Sequence, residues 1–419
     1  MITPSGQTSG NYTIAFNNGT LTVTKAVLSV TANPIAKTYG ALDPALTFAV
    51  AGLKFTDTSA TVLTGVLARV GGETVAGSPY TITQGTLTPN GNYTIIFNTG
   101  TLSVTKAVLS VTAAVKTKVY GAADPALTFT ATGLQFTDTT VTVLTGALTR
   151  AAGETVAGGP YAITLGTLAP NGNYTISFTG NTLTITKAAL SVTADAKTKV
   201  YGSLDPAFTV AYVGFVNGET PTVLGGVLSF TRALGENAGS YLITPSGLTS
   251  GNYAITFNTN SLAIIKAPLS VTADAKTKTF GAADPAFTVS YAGFVNAETP
   301  TVLGGALGFT RVPGETVGTY LITPSGLTSA NYAITFNPGT LTIVAPPPVI
   351  LPLARLGTTN IVIAWTSVSN GIYRVQYNPG LGTTNWADLV GDVTATGSTA
   401  SKTDIMTTTN RFYRVQVLP

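Results

Sequence analysis

The stretch Tyr253-Ala254-Ile255-Thr256-Phe257-Asn258-Thr259-Asn260-Ser261-Leu262-Ala263-Ile264 carries an apolar side chain at almost every second position. Successive side chains of a β-strand point to opposite faces, so this alternation belongs to strands with one face buried and one face solvated. Upstream, Leu190 and Val192, then Phe208, Val210 and Tyr212, then Leu228 and Phe230, then Tyr241 and Ile243 keep the same period. Turn signals separate these runs: Asp205-Pro206, Gly235, Pro245-Ser246-Gly247 and Gly251-Asn252. The pattern predicts about six or seven short strands. One segment breaks it, Glu219-Thr220-Pro221-Thr222-Val223-Leu224-Gly225-Gly226, which recurs from Glu298 to Gly305. With Thr220 as a cap, Pro221 at the first helical position and Gly225 at the end, it predicts a helix of about one or two turns.

The whole pattern repeats. The box Tyr39-Gly40-x-x-Asp43-Pro44 returns as Tyr120, Gly121, Asp124 and Pro125, as Tyr201, Gly202, Asp205 and Pro206, and, with Phe for Tyr, as Phe280, Gly281, Asp284 and Pro285, in steps of 81, 81 and 79 residues. An Asn-Tyr pair recurs at Tyr12, Tyr93, Tyr174, Tyr253 and Tyr332 with the same period. Two independent markers with one spacing define units at 26–106, 107–187, 188–266 and 267–345, preceded by a partial unit at 1–25. The closing strand Thr101-Leu102-Ser103-Val104 runs through Thr105-Lys106-Ala107 straight into Leu109-Ser110-Val111, with no Gly/Ser slack, which predicts a stiff array. The chain starts inside a unit, so the reading is of a fragment whose export signal lies upstream.

Composition bounds what such units can do. Among 419 residues only 9% are charged, and the net charge of +4 comes from 21 Lys and Arg spread without clusters, which argues against a nucleic-acid partner. Apolar residues alternate with Thr and Ser, so no run is long enough for a transmembrane helix. There is no cysteine and no histidine. Lack of histidine removes Ser-His-Asp and Cys-His catalysis and the usual zinc sites. No Gly-rich phosphate loop occurs either. The expectation is a non-enzyme with no cofactor and no metal.

The YGxxDP box, the Gly-Phe-x-Asn-x-Glu-Thr-Pro segment that follows it in the last two units, the turn Gly314, Glu315, Gly318 and Tyr320, the Asn-Tyr strand and the Leu-Thr-Val-Thr-Lys-Ala closure together resemble the MBG domain of the YGX type. The resemblance covers residues 1–345. It implies tandem small β-sheet domains with one short helix each, β-grasp-like α+β or, alternatively, an Ig-like β-sandwich. It also implies display on a bacterial surface or secretion, and an adhesin-like or structural role. Phe280 departs from the box and suggests that the ring matters more than the hydroxyl.

Single residues admit plainer readings. Asp43, Glu73, Asp124, Glu154, Asp205, Glu236, Asp284 and Glu315 occur once per unit; paired acids for glycoside hydrolysis or Ca²⁺ are possible chemistries, but an Asp before Pro ordinarily accepts backbone N–H groups in a turn. Tyr39, Tyr120 and Tyr201 are read as plugs at the edge of a small core with the hydroxyl tied to backbone, in preference to sugar-stacking platforms. Arg69, Arg150, Arg232 and Arg311, with Lys25, Lys106, Lys187 and Lys266 at the junctions, are read as edge protection and solubility. Asn11, Asn92 and Asn173 precede Tyr-Thr and are read as strand starts.

Pro346-Pro347-Pro348 forms a short extended linker. Residues 349–419 then carry three alternating strands, Ile361-Ile363-Trp365, Tyr373-Val375-Tyr377 and Tyr413-Val415-Val417, similar to a fibronectin type III-like C-terminal module. Taken together the sequence points to a non-catalytic stalk or spacer, or alternatively to repeats that bind polysaccharide or a neighbouring cell-surface protein weakly and many times over.

Overall fold

The computed structural model describes residues 1–380, 384–406 and 410–418; Pro419, where no sorting motif is read, lies outside them. The first complete repeat contains β1 (Ala26–Ala32), β2 (Ile35–Thr38), β3 (Phe48–Ala51), a one-turn helix α1 (Ser59–Val62), β4 (Leu63–Thr64), β5 (Ala68–Arg69), β6 (Tyr80–Thr83), β7 (Thr88–Pro89), β8 (Tyr93–Asn98) and β9 (Gly100–Thr105). One sheet has the order β3-β1-β8, a second β2-β9-β6-β5, and β4 pairs with β7.

Two parallel pairings organise the unit. β1 runs beside β8 from Ala26 opposite Tyr93 to Thr31 opposite Asn98, and β2 runs beside β9 from Ile35 opposite Leu102 to Thr38 opposite Thr105. The chain crosses from one sheet to the other at Asn33-Pro34, where proline has no N–H to give to a ladder. Alternation then puts Leu28, Val30 and Ala32 of one sheet against Ile82 of the other, with Val62 from α1 and Leu87 closing the core. Leu28, Val30 and Ile82 have no exposed surface. Each such side chain contributes roughly 1.5–3 kcal/mol. Small β units with a short helix are therefore what the chain builds, laid out as two sheets around a common core.

The last two repeats keep this plan with different trim. The third has strands Gly225–Arg232 and Gly239–Thr249 where the first has split pairs, and Pro221–Val223 is a single 3-10 turn, as is Pro300–Val302 in the fourth. The helix expected at Glu219–Gly226 is thus shorter than the sequence suggested. Pro221 does open it, but Thr220 makes no side-chain cap, bonding Thr222 Oγ1 at 2.8 Å instead, and Leu224 in extended conformation ends it. Too few residues remain between Pro221 and the strand at Gly225 for an α-helical turn to close.

The chain packs as two units. One comprises Met1–Leu190, Gly214–Gly225 and Thr249–Ile255; the other comprises Ser191–Val213, Gly226–Leu248 and Thr256–Pro419. In the first, residues 1–25 form no strand, only an isolated bridge between Ile2 and Gly19, and Tyr12 is 80% exposed. A half-repeat without its partner strands has no face to bury, and its apolar alternation finds nothing to pair with. In the second unit, the C-terminal module pairs Asn360–Thr366 with Thr399–Ile405 and Ile372–Asn378 with Phe412–Leu418, enclosing Ile363, Trp365, Tyr373 and Val375. Arg374, read as solvated, reaches Asp392 in a two-pronged ion pair at 2.8 and 2.9 Å.

Candidate functional site: the tyrosine joint between repeats

The box tyrosine sits in a tight turn. Thr38 C=O accepts from Ala41 N–H at 2.9 Å, and Gly40 at φ 86° takes the third position, the geometry of a type II turn. Tyr39, in the second position, projects past the end of its own repeat. Its hydroxyl donates to Asp138 Oδ2 of the next repeat at 3.1 Å, and its ring meets Tyr174 and Phe136 of that repeat edge-on at 5.3 and 5.2 Å. Asp138 also accepts from Tyr174 at 2.7 Å, so one carboxylate takes two phenols.

The arrangement recurs. Tyr120 donates to Glu219 at 2.6 Å and crosses Tyr253 at 5.5 Å, while Tyr253 donates to the other oxygen of Glu219. Tyr201 donates to Glu298 at 2.6 Å and crosses Tyr332 at 5.6 Å; Tyr332 takes the second oxygen at 2.5 Å. Glutamate serves each phenol with a separate oxygen, whereas Asp138 shares Oδ2, which accounts for the longer bond to Tyr39. Tyr39, Tyr120 and Tyr201 are only 6–7% exposed. Their phenols are held above their ordinary pKa: Tyr39 by burial and Asp138, Tyr120 and Tyr201 first by the carboxylate bond and then by burial. Tyr174, at the centre of the first joint, is pushed up to about 12 by burial and Asp138.

A second contact crosses each joint. Asn173 Oδ1 accepts from Val75 N–H at 3.1 Å, Asn252 Oδ1 from Val156 N–H at 3.0 Å, and Asn331 Oδ1 from Ala238 N–H at 2.9 Å. Lys187 and Lys266 donate to the C=O groups of Ser250 and Ser329 at 2.8 Å. A single lysine separates closing and opening strands, as Lys106 does between Thr105 and Ala107. Leu102, Val104 and Tyr39 of one repeat therefore share a continuous core with Leu109, Val111 and Tyr174 of the next.

Three readings of single residues change accordingly. The Tyr39 series does plug a core edge, but its hydroxyl leaves for a neighbouring carboxylate; the tyrosines that bond backbone are Tyr80, Tyr161, Tyr241 and Tyr320, to the C=O of Thr74, Thr155, Asn237 and Thr316. The Asp-Pro aspartates are not turn caps. Lys37 Nζ contacts Asp43 and Glu73 at 2.5 Å, and Arg69 contacts the same two carboxylates at 2.5 Å, a closed square of two cations and two anions repeated in all four units. Arg69, read as edge protection, is consequently fixed, its guanidinium 5.5 Å from the Tyr80 ring. Lys37 is 7% exposed, a burial that alternation from Ile35 foretells but that nothing in the sequence pairs with Glu73, 36 residues away.

Within the square, Arg69 and then Lys37 hold the Asp43 carboxyl down at about 2; Arg150 and Lys118 do the same for Asp124. Burial lowers Lys37, but its bonds to Asp43 and Glu73 outweigh this and leave it raised. Each acid is already neutralised by two cations, so none is open to Ca²⁺ or to proton transfer. Among the described residues no three acidic groups gather as a metal cluster, and no helix is long and apolar enough to cross a membrane.

The fourth box ends differently. Phe280 is 41% exposed and lines a shallow cavity with Thr316, Ser367, Val368, Ser369, Gly397 and Ser398. No carboxylate lines that cavity, so a phenol hydroxyl would have no ionised acceptor there.

No relative among curated protein sequences matches the chain. Solved structures similar to it include domains A168-A170 from titin, 10% identical with a TM-score of 0.27 over 55% of this chain and 93% of that one. InvD of Yersinia pseudotuberculosis is 12% identical with a TM-score of 0.17 over 52% of this chain and 85% of that one. The MBG domain (YGX type) profile matches four times, at residues 28–103, 109–184, 190–263 and 269–342, together well over half of the chain. The chain belongs to the MBG domain family of the YGX type, as four tandem copies.

Proposed function

We propose that this chain is a non-catalytic structural spacer of a bacterial cell-surface or secreted adhesin-like protein, closed by a fibronectin type III-like module. The observation that carries the reading is the joint: three times over, a buried tyrosine, a carboxylate and a crossing asparagine lock one repeat to the next, and the most polar residues of each repeat are consumed in holding it together. A spacer needs units that transmit load without hinging. Multivalent binding to polysaccharide or to a neighbouring cell's proteins is the competing reading, and it cannot use the tyrosines, whose ring faces are covered.

Single-molecule stretching of the full chain tests this. A load-bearing spacer gives one unfolding step per complete repeat, each of roughly 27 nm for about 80 residues at about 3.4 Å per residue. Extension at low force without such steps, or saturable binding to a defined glycan in a parallel assay, contradicts it.

A further inference from the structure

Three of the four repeats have their carboxylate socket filled by the tyrosine of the repeat before. In the first complete repeat the same socket is built and nothing enters it. Asp57 accepts from Tyr93 at 2.6 Å, as Asp138 does from Tyr174, and Lys54 N–H donates to the Tyr93 hydroxyl at 3.0 Å, as Gln135 N–H does to Tyr174 at 2.7 Å. Phe55 has φ 56° and Phe136 φ 51°, the same left-handed backbone in both loops. The difference is cover: Phe136, beside the Tyr39 ring, is 62% exposed, and Phe55 is 103% exposed. Phe55, Asp57, Asn92 and Tyr93 line a cavity of about 420 Å³, flanked by residues 23–25.

The filled joints show what the cavity is shaped for. Beside the socket, Tyr39 N–H donates to Thr105 C=O at 2.8 Å and the Thr105 hydroxyl donates to Lys37 C=O at 3.2 Å, so the strand leading into the tyrosine pairs with the closing strand of its own repeat. Thr24, the counterpart of Thr105, lies at the cavity mouth in a segment that has no strand partner. We infer that the Phe55–Asp57–Tyr93 socket is a docking site for a Tyr-Gly turn of the YGxxDP type presented by a separate polypeptide. Asp57 takes the incoming phenol, Phe55 and Tyr93 flank its ring, Asn92 accepts one backbone N–H, and residues 22–24 gain a strand. A second copy of this chain is a poor donor, because its three tyrosine turns are engaged within itself and its fourth carries Phe280, which has no hydroxyl. This rests on the geometry of the joints and holds whether or not the array serves as a spacer.

The test adds a synthetic peptide with the sequence of residues 33–44, Asn33 to Pro44, to the intact chain and follows binding by calorimetry and amide chemical shifts. The expected result is saturable binding with shifts at residues 22–25, 54–57 and 92–93. Replacing the peptide tyrosine by Phe weakens it about 10-fold, the factor that corresponds to one charge-assisted hydrogen bond, and replacing it by Ala abolishes it. In Asp57→Asn protein the Tyr and Phe peptides bind within about twofold of each other. Because the peptide variants leave the protein untouched, their outcome stands even if Asp57→Asn disturbs the loop. No saturable binding, equal binding of the Ala peptide, or shifts confined to other repeats overturns the inference.

Discussion

Tyr201 and Phe280 occupy the same position of the same turn in consecutive repeats, yet one is 6% exposed and bonded to Glu298 while the other is 41% exposed over a cavity lined by Ser, Thr and Val. The backbone is the same on both sides, with Gly202 at φ 84° and Gly281 at φ 80°. Surroundings differ. A Cβ on Gly202 would come within 2.4 Å of Val295 in the following repeat, whereas one on Gly281 would meet nothing. The turn is thus a common device, and what it engages decides whether it needs a hydroxyl. A phenol is placed where a carboxylate waits for it, and a bare ring where none does.

The largest expected contrast is truncation. Tyr201→Ala removes a nearly fully buried ring and one bond to a carboxylate and costs about 3 kcal/mol, whereas Phe280→Ala, already part-exposed, costs about 1 kcal/mol. Residue-resolved hydrogen exchange of the full chain in rising denaturant measures both. Equal losses would mean that the two turns are packed alike and that the difference in exposure has no energetic content.

Acid and alkali separate the square from the joint. The Asp43 and Asp124 carboxyls titrate near 2 when folded and near 4 when unfolded, so the unfolded chain binds more protons in that window. Their stabilisation is fully present above about pH 4 and is lost as pH falls towards 2; because these carboxylates are more than a third exposed, the effect per square is modest. Alkali acts in the opposite sense on the joints. Tyr174 holds its proton to about 12 when folded against about 10 unfolded, so its contribution is present below about pH 10 and disappears as pH rises through 12. Phenolate beside Asp138 is repelled, and the first joint opens while the Phe280 contact, which has no titrating group, persists. Hydrogen exchange at both sites across these two pH ranges checks the order; simultaneous loss at Phe280 and at Tyr39 in alkali would contradict it.

Much of this was legible in the sequence. Period-two alternation gave the strands, the 79 to 81-residue spacing gave the repeats, and the missing slack around Lys106 foreshadowed strands that follow one another with a single residue between them. Partnerships were not legible, for a physical reason. Tyr39 and Asp138 are 99 residues apart, and the Lys37–Glu73 pair closes only when β2 and the turn after β5 meet across a sheet. Alternation says which face a side chain takes and nothing about what faces it. One signal was available: Asp57, Asp138, Glu219 and Glu298 recur at the repeat period in the loop before the helical turn, always acidic where neighbouring positions vary. An acid retained at the repeat spacing, with a tyrosine retained one repeat earlier, is the mark of a joint.

The central claim is that a tyrosine–carboxylate pair couples neighbouring repeats, and a double-mutant cycle on Tyr201→Phe and Glu298→Gln tests it most directly, read as hydrogen-exchange protection at the Val295 amide and across residues 197–202 of the full chain. The coupling predicts that the two substitutions together cost less than their sum by about 1–1.5 kcal/mol, since either one alone already breaks the shared bond. Strict additivity would show that the hydroxyl and the carboxylate act independently, and that packing of the rings alone joins the repeats.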